Sequence, residues 1–422
     1  MISALTDLNR VYLSASLAAL PLLALWSLRR RSQRLAMANV PSKTVVIVGA
    51  AWAGINVAHG LLKQVPNVKV VLINPSEEFY FNIASPRIIA RPNAFTREKY
   101  MYSIPDLFDK YPSEVKAGFE FVIGEATAID VKGKTVSVTE GAETSRDIAY
   151  DYLVISSGST SKATLGGDSL KVPFKASKDS NTDSDIKNSQ DAIQAAKSVI
   201  IGGAGAVGVE FAAELAEERP DVKVTLVTPT DRVLPTLKDG PRAKAAKVLK
   251  SKGIEIVTKE AVESARFDAA ANNWTVTLTT GQILTADVYV TAAGAVPNNE
   301  FIPSALLDED GWVDVDRHFR ASRIPLSANI YAVGDITSHP QRIASRMPTL
   351  TGTVVSNLKA DILGKGSRAT FDAAKQGVLL AVPLGKSDGT GQMGWIVLPG
   401  FVLAFFKGKD YMTGIGKKLV YG

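Results

Sequence analysis

Continuous apolar runs, each closed by small residues and followed by helical spacing, recur along the chain. Val45–Val48 has no polar alternation, which predicts a strand buried on both faces of a parallel sheet. Gly49, Ala51 and Gly54 follow it as G-x-A-x-x-G, and Ile55, Leu61 and Leu62 then fall on one side of a helix. Val68–Ile73 predicts a second strand that closes on Asn74. Phe119–Gly124, Ala126–Asp130 and Lys134–Val138, with a turn around Gly141, read as strands of an antiparallel excursion. Asp151–Ser159 returns as a buried strand ending in small residues, and residues 161–183 read as a polar linker. Ile186, Ala192, Ile193 and Ala196 give helical spacing from Asp185 to Lys197.

The pattern then repeats. Val199–Ile201 leads into Gly203, Gly205 and Gly208, a full G-x-G-x-x-G, before a helix predicted over Glu210–Glu218 and a strand over Val222–Val227. Ala286–Gly294 echoes Val154–Gly158, and that correspondence indicates internal duplication. Asn329–Asp335 is a short buried strand delivering Gly334 and Asp335, with a helix from about Thr349 to Leu363. From Phe371 onward Val378–Leu384, a Gly-rich turn at Gly385–Gly394, Trp395–Leu398 and Phe401–Phe406 predict a small separate core. The expected fold is α/β, with two Rossmann-like dinucleotide-binding units, the second inserted in the first, and a small C-terminal α+β domain. The expected limits are 1–40 for an N-terminal anchor and linker, 41–165 and 291–366 for the first unit, 166–290 for the second, and 367–422 for the last domain.

The two corners carry the candidate chemistry. Small residues after a strand let backbone N–H groups approach a pyrophosphate, and the helix N-terminus adds partial positive charge. Asn74 stands where a ribose-binding acid is usual, and keeps only a neutral hydrogen bond to offer. The second unit has Thr228-Pro229 at that place and Arg232 beyond it, an arrangement suited to a 2′-phosphate as well as a plain ribose. It is therefore expected to accept NADPH as well as NADH. The aromatic segment Phe79–Arg87 reads either as a packed loop with a surface arginine or as a wall of a flavin site with Arg87 near a phosphate or flavin carbonyl. Asp335 reads either as a turn or cap residue or as an acceptor for a ribityl hydroxyl of FAD.

Composition adds exclusions. The 422 residues contain no cysteine, which removes thiolate metal sites and any redox dithiol, and the three histidines form no cluster, so no metal site is expected. The net charge is +6, with Arg29, Arg30, Arg31 and Arg34 clustered, and no nucleic-acid-binding motif accompanies it. Residues 11–28 are apolar but for three serines and a tyrosine, and the arginines follow them. A cleaved signal has its cations first and a mitochondrial presequence is Arg-rich throughout, so an uncleaved anchor helix is expected. Cytosolic arginines would place the catalytic body in the cytosol, at the mitochondrial outer membrane, the endoplasmic reticulum or a lipid droplet. The C-terminal aromatics admit a sharper reading beside a plain core, namely contact with a membrane surface whose head groups meet the lysines from Lys407 to Lys418.

Val48–Gly54, Tyr80–Arg87, Ile201–Glu210, Tyr331–Asp335 and the Lys407–Tyr411 neighbourhood resemble the two-dinucleotide-domain flavoproteins of the pyridine nucleotide-disulfide oxidoreductase superfamily. The resemblance is closest to apoptosis-inducing-factor-like proteins of the ferroptosis suppressor type, in their fungal form, and it covers Ser42 to Gly422. It implies FAD on the first unit, NAD(P)H on the second, and electron transfer to a quinone or another small diffusible acceptor. It further implies cofactor contacts at Ala126 and Gly158, and places Glu210 near the nicotinamide–flavin junction. The competing role for Glu210 is a first-turn helix acid favoured by the dipole. The absent cysteines require hydride to pass to flavin and onward without a protein disulfide. Two other classes stay open at this point: a nucleotide-binding signalling or death-promoting protein with nucleic-acid affinity, and a reductase of a protein acceptor such as ferredoxin.

Overall fold

The computed structural model describes residues 42–141, 144–178, 181–340 and 342–420. The expected anchor at 11–28 lies outside them, and among the described residues no helix is long and apolar enough to cross a membrane. The first sheet is wholly parallel, in the order Ile330–Ala332, Tyr152–Ile155, Lys43–Val48, Val68–Asn74, Phe119–Ile123. Its central strand is flanked on both sides, Val45 lying beside Val70 and Tyr152, which is why the sequence there is unbroken Val and Ile. The second sheet, also parallel, runs Glu255–Thr258, Lys223–Thr228, Ser198–Gly202, Val288–Thr291. Because Ile330–Ala332 joins the first sheet, the second sheet is inserted between strands of the first.

The duplication is deeper than the sequence reading found. The expected antiparallel excursion is a three-stranded sheet of Glu125–Asp130, Thr135–Glu140 and Thr144–Ala149. The second unit has its counterpart in Val262–Asp268, Asn273–Leu278 and Ile283–Ala286, which the sequence analysis did not find although Trp274, Val276 and Leu278 alternate along the middle strand. The chain crosses between units on two antiparallel strands, Ser159–Ser161 and Ala295–Pro297, so the expected linker begins as paired strand.

Helix Trp52–Gln64 buries Ile55, Val57, Ala58 and Leu61 completely and packs on helix Met347–Leu363. Each such aliphatic side chain contributes roughly 1.5–3 kcal/mol on burial. A Cβ at Gly60 would stand 2.6 Å from Val355 Cγ2, so the glycine sets how closely these helices approach. The second-unit helix starts at Ala206, earlier than expected, directly on the glycine turn. In the C-terminal segment, strands Leu379–Pro383, Gly389–Met393 and Ile396–Val397 are antiparallel, and Gly400–Leu403 is a helical turn continuing into a π-turn over Ala404–Gly408.

Candidate functional site

The two glycine corners share one geometry. Gly49 and Gly203 take φ of +99° and +118°, open to glycine at little cost. A Cβ at Gly54 would lie 1.9 Å from Gly49 O, and one at Gly208 would lie 1.9 Å from Gly203 O. The first and third positions are thus fixed by the turn itself. The middle position is different: a Cβ at Gly205 meets nothing within 4 Å, and Ala51 at the matching place is exposed. Helices Trp52–Gln64 and Ala206–Glu218 begin with no side-chain cap and no first-turn acid, which leaves their N-terminal N–H groups and positive ends for an anion.

Gly334, at φ +88°, brings its turn against Ala53 of the first corner, where a Cβ would lie 3.1 Å from the alanine methyl. Lys175 Nζ donates to Asp335 at 2.7 Å and to Ser159 Oγ at 2.6 Å, just past Gly158, where φ is +67° and the space is open. Asp335 thus stands in a turn, as one of its two readings had it, and is ion-paired there to Lys175. Lys175 was invisible in the sequence because it stands in the turn-rich stretch read as a linker. Asn74 faces the turn: Ala50 N–H donates to its Oδ1 at 2.9 Å, and its Nδ2 donates to Ser76 O at 2.7 Å. It braces the phosphate turn with the oxygen that had been assigned to a ribose. Gly124 N–H donates to Asn74 O at 2.9 Å, which sets the strand bearing Ala126 beside this end of the sheet.

Arg87 requires correction. It is 2% exposed, and its guanidinium donates to Glu214 at 2.9 and 2.7 Å, to Lys409 O at 2.9 Å and to Gly408 O at 2.7 Å. Burial lowers its pKa, and the paired bonds from Glu214 outweigh that, so it is held above the usual arginine value. With its donors spent inside the protein, it is not available to a phosphate or a flavin carbonyl. The aromatic residues before it are core: Phe79 and Phe81 are buried, each 5.2 Å from the Trp52 ring. Arg91 also donates to Glu214, at 2.6 Å, and pairs with Glu217 and Glu218. Glu214 is one helical turn after Glu210, and two glutamates at that spacing in the otherwise apolar stretch Ala206–Ala216 were a signal that could have been read.

Glu210 is buried in the second turn of its helix, so the dipole alternative falls away. Lys407 Nζ donates to its Oε1 at 2.6 Å and to Ala381 O at 3.2 Å. Burial raises the Glu210 carboxyl pKa, with Lys407 acting against it. Tyr411 lies beneath, its ring 5.5 Å from Lys407 Nζ and 4.7 Å from the Arg87 guanidinium carbon. Burial, with Glu210 and Glu214 nearby, raises its phenol well above the ordinary value. The second helix, the helix Ser85–Ala90 and the C-terminal segment therefore meet in one buried charged cluster.

At the ribose end of the second unit, Thr228 is buried against Thr230 while Arg232 is partly exposed, 3.3 Å from Asp239 and 3.8 Å from Asp231. A surface pair of this kind is weak enough to be exchanged for a phosphate. Arg232→Ala is expected to shift kcat/KM toward NADH over NADPH by about tenfold. An unchanged ratio would place the 2′-phosphate elsewhere.

Residues 43–351 match the model of the pyridine nucleotide-disulphide oxidoreductase family. The chain belongs to that family. Among its relatives, oxidoreductase PtaL of Pestalotiopsis fici is 32% identical over 89% of this chain and 98% of its own length. Ferroptosis suppressor protein 1 of Xenopus tropicalis is 26% identical over 87% of this chain and 93% of its own. The structure of sulfide:quinone oxidoreductase from Aquifex aeolicus shares the fold, with a TM-score of 0.69 at 19% identity over 89% of this chain and 92% of its own. Membership brings the family's cofactors, FAD and NAD(P)H. The residues fit them: two uncapped helix N-termini behind glycine turns, an open cradle at Gly205 that a Cβ would enter, and a second open position at Gly158 beside Asp335.

Proposed function

We propose that the chain is an FAD-dependent NAD(P)H:quinone oxidoreductase working at a membrane. FAD would lie along Gly49, Ala51, Gly54, Gly158, Gly334 and Asp335, and NAD(P)H along Gly203, Gly205, Gly208 and Arg232. Bound flavin supplies the two-electron chemistry, taking hydride from the nicotinamide and reducing the acceptor. Balanced over the cycle, NAD(P)H, a proton and a quinone give NAD(P)+ and a quinol. The observation that carries this reading is the buried Glu210–Lys407 pair at the start of the second helix, in a chain whose 422 residues include no cysteine to relay electrons. Relatives named for ferroptosis suppression and a fold neighbour named for a quinone support the acceptor class.

The chain's own residues position and exclude. Lys407 holds the Glu210 carboxyl in one place, with the buried Tyr411 ring 5.5 Å from its Nζ. Residues 11–28 would hold the body at the cytosolic face of its membrane. The test is the visible spectrum of the purified protein: flavin absorbance is expected to bleach with NADH and return on addition of a soluble quinone without air. A folded, colourless protein that FAD cannot reconstitute overturns the proposal. Return of colour only with a protein acceptor such as ferredoxin would replace the quinone.

Lys407→Met is expected to slow flavin reduction by NADH roughly tenfold to a hundredfold at neutral pH. Removing the cation leaves burial unopposed, so the Glu210 carboxyl is pushed up further than in the parent. Its ionisation then needs a higher pH, so the variant's rate profile should be displaced to higher pH than the parent's. Profiles with the same midpoint in stopped-flow reduction would show that the charge on Glu210 is not used.

A further inference from the structure

The C-terminal segment carries an apolar surface that the cofactor site does not use. Trp395, Phe401, Phe405 and Phe406 are each between 66% and 79% exposed, and Met393, Ile396 and Val397 are exposed with them. They stand on the hairpin formed by Gly389–Met393 and Ile396–Val397, and on the turn from Gly400 through Gly408. These two pieces rest on each other, since a Cβ at Gly389 would stand 2.9 Å from Leu403 Cβ. Soluble proteins seldom gather so many bare large apolar residues without a partner.

Cations predominate around them. No carboxylate occurs from Gly389 to Lys409. Asp388 and Asp410, at the borders, are engaged: Asp388 pairs with Lys244 at 2.8 Å, and Asp410 accepts the N–H groups of Met412 and Gly414. Lys386 and Lys409 are exposed, and Lys238 Nζ donates to Trp395 O at 3.2 Å. We propose that this surface inserts into the interface of an anionic membrane, its rings at head-group depth and its lysines against lipid phosphates. A two-fold pairing of this surface with a second copy would set each lysine near its counterpart. The apolar segment 11–28 ends in Arg29-Arg30-Arg31 and would add cations to cations. Phe406 immediately precedes Lys407, which meets Glu210, so docking would bring lipid to the neighbourhood of the buried pair. This contact is separate from any anchoring by residues 11–28.

The test uses the full-length protein and phosphatidylcholine vesicles with and without phosphatidylserine. Brominated acyl chains are expected to quench the wild type more than Trp395→Phe, the difference being Trp395 itself, whatever Trp26 contributes. The variant F401S/F405S/F406S is expected to lose the Trp395-dependent part of that quenching on the anionic vesicles, with flavin absorbance and thermal midpoint unchanged. Equal quenching of the wild type and Trp395→Phe overturns the proposal, and does so even if the triple variant fails to fold. A folded triple variant that keeps the Trp395-dependent quenching, or a lipid-free dimer that the triple variant abolishes, also overturns it.

Discussion

Replacing Glu214 with alanine is expected to destabilise the assembly of the three segments by about 3–5 kcal/mol, because it leaves the buried Arg87 guanidinium without a carboxylate and takes one of three carboxylates from Arg91. Glu214 is wholly buried and accepts from Arg87 through two nitrogens and from Arg91 through Nε. With it gone, Arg87 keeps only the carbonyls of Gly408 and Lys409. Those bonds tie the helix Ser85–Ala90 to the C-terminal segment, while Glu214 ties it to the helix Ala206–Glu218. The loss should therefore appear at that junction as a lowered thermal midpoint and as faster proteolysis of the C-terminal segment. An apolar replacement of Arg87, Arg91 and Glu214, R87M/R91M/E214L, should recover much of the loss, since neither guanidinium is then left buried without its carboxylate. Recovery should stop short of the parent, because the Gly408 and Lys409 carbonyls lose their donor. A Glu214→Ala protein that melts within about one degree of the parent would show that water reaches these arginines and that the cluster carries little energy.

That cluster also marks where sequence reading stops. The strands and glycine corners were legible because each is set by neighbours in the chain: an apolar run, a small-residue turn and a helical stripe. Gly54 and Gly208 are demanded by carbonyls five residues before them, a requirement written within the motif. Arg87 was misplaced because its partners are 127 and about 320 residues away, and nothing local distinguishes a buried ion pair from a ligand cation. Asn74 stood at the right strand end, yet the direction of its side chain was decided by the Ala50 N–H that needed an acceptor. Lys175 reached Asp335 from a stretch without periodicity. The second antiparallel excursion was missed although Trp274, Val276 and Leu278 alternate with polar residues in Asn273–Leu278 and could have been read; only its flanking strands, such as the largely exposed Val262–Asp268, carry a weak alternation. His59 is buried and stacked 4.3 Å from Phe108, and burial pushes its pKa down to about 3.

Replacing Gly205 with valine is expected to raise the KM for NAD(P)H by about a hundredfold or more, equivalent to at least ~2.7 kcal/mol of lost binding, while bound FAD stays. The open space at Gly205 makes this a clean experiment. No protein atom lies within 4 Å of a Cβ there, so the free protein should tolerate the branched side chain and fold as before. The space it fills is the approach to the N–H groups at the start of Ala206–Glu218, and a pyrophosphate held away from them loses several charge-assisted hydrogen bonds together. Gly208→Val is the informative contrast: its Cβ would meet Gly203 O at 1.9 Å, so that variant should fail as a folded unit rather than as a binding site. Ala51→Val transfers the argument to the first corner, where release of FAD is expected while the second corner stays intact. The measurements are KM for NADH with one soluble quinone, and flavin retained after gel filtration. If Gly205→Val binds NADH as the parent does, the pyrophosphate does not rest on this corner. If it loses FAD instead, the two units have been given each other's cofactor.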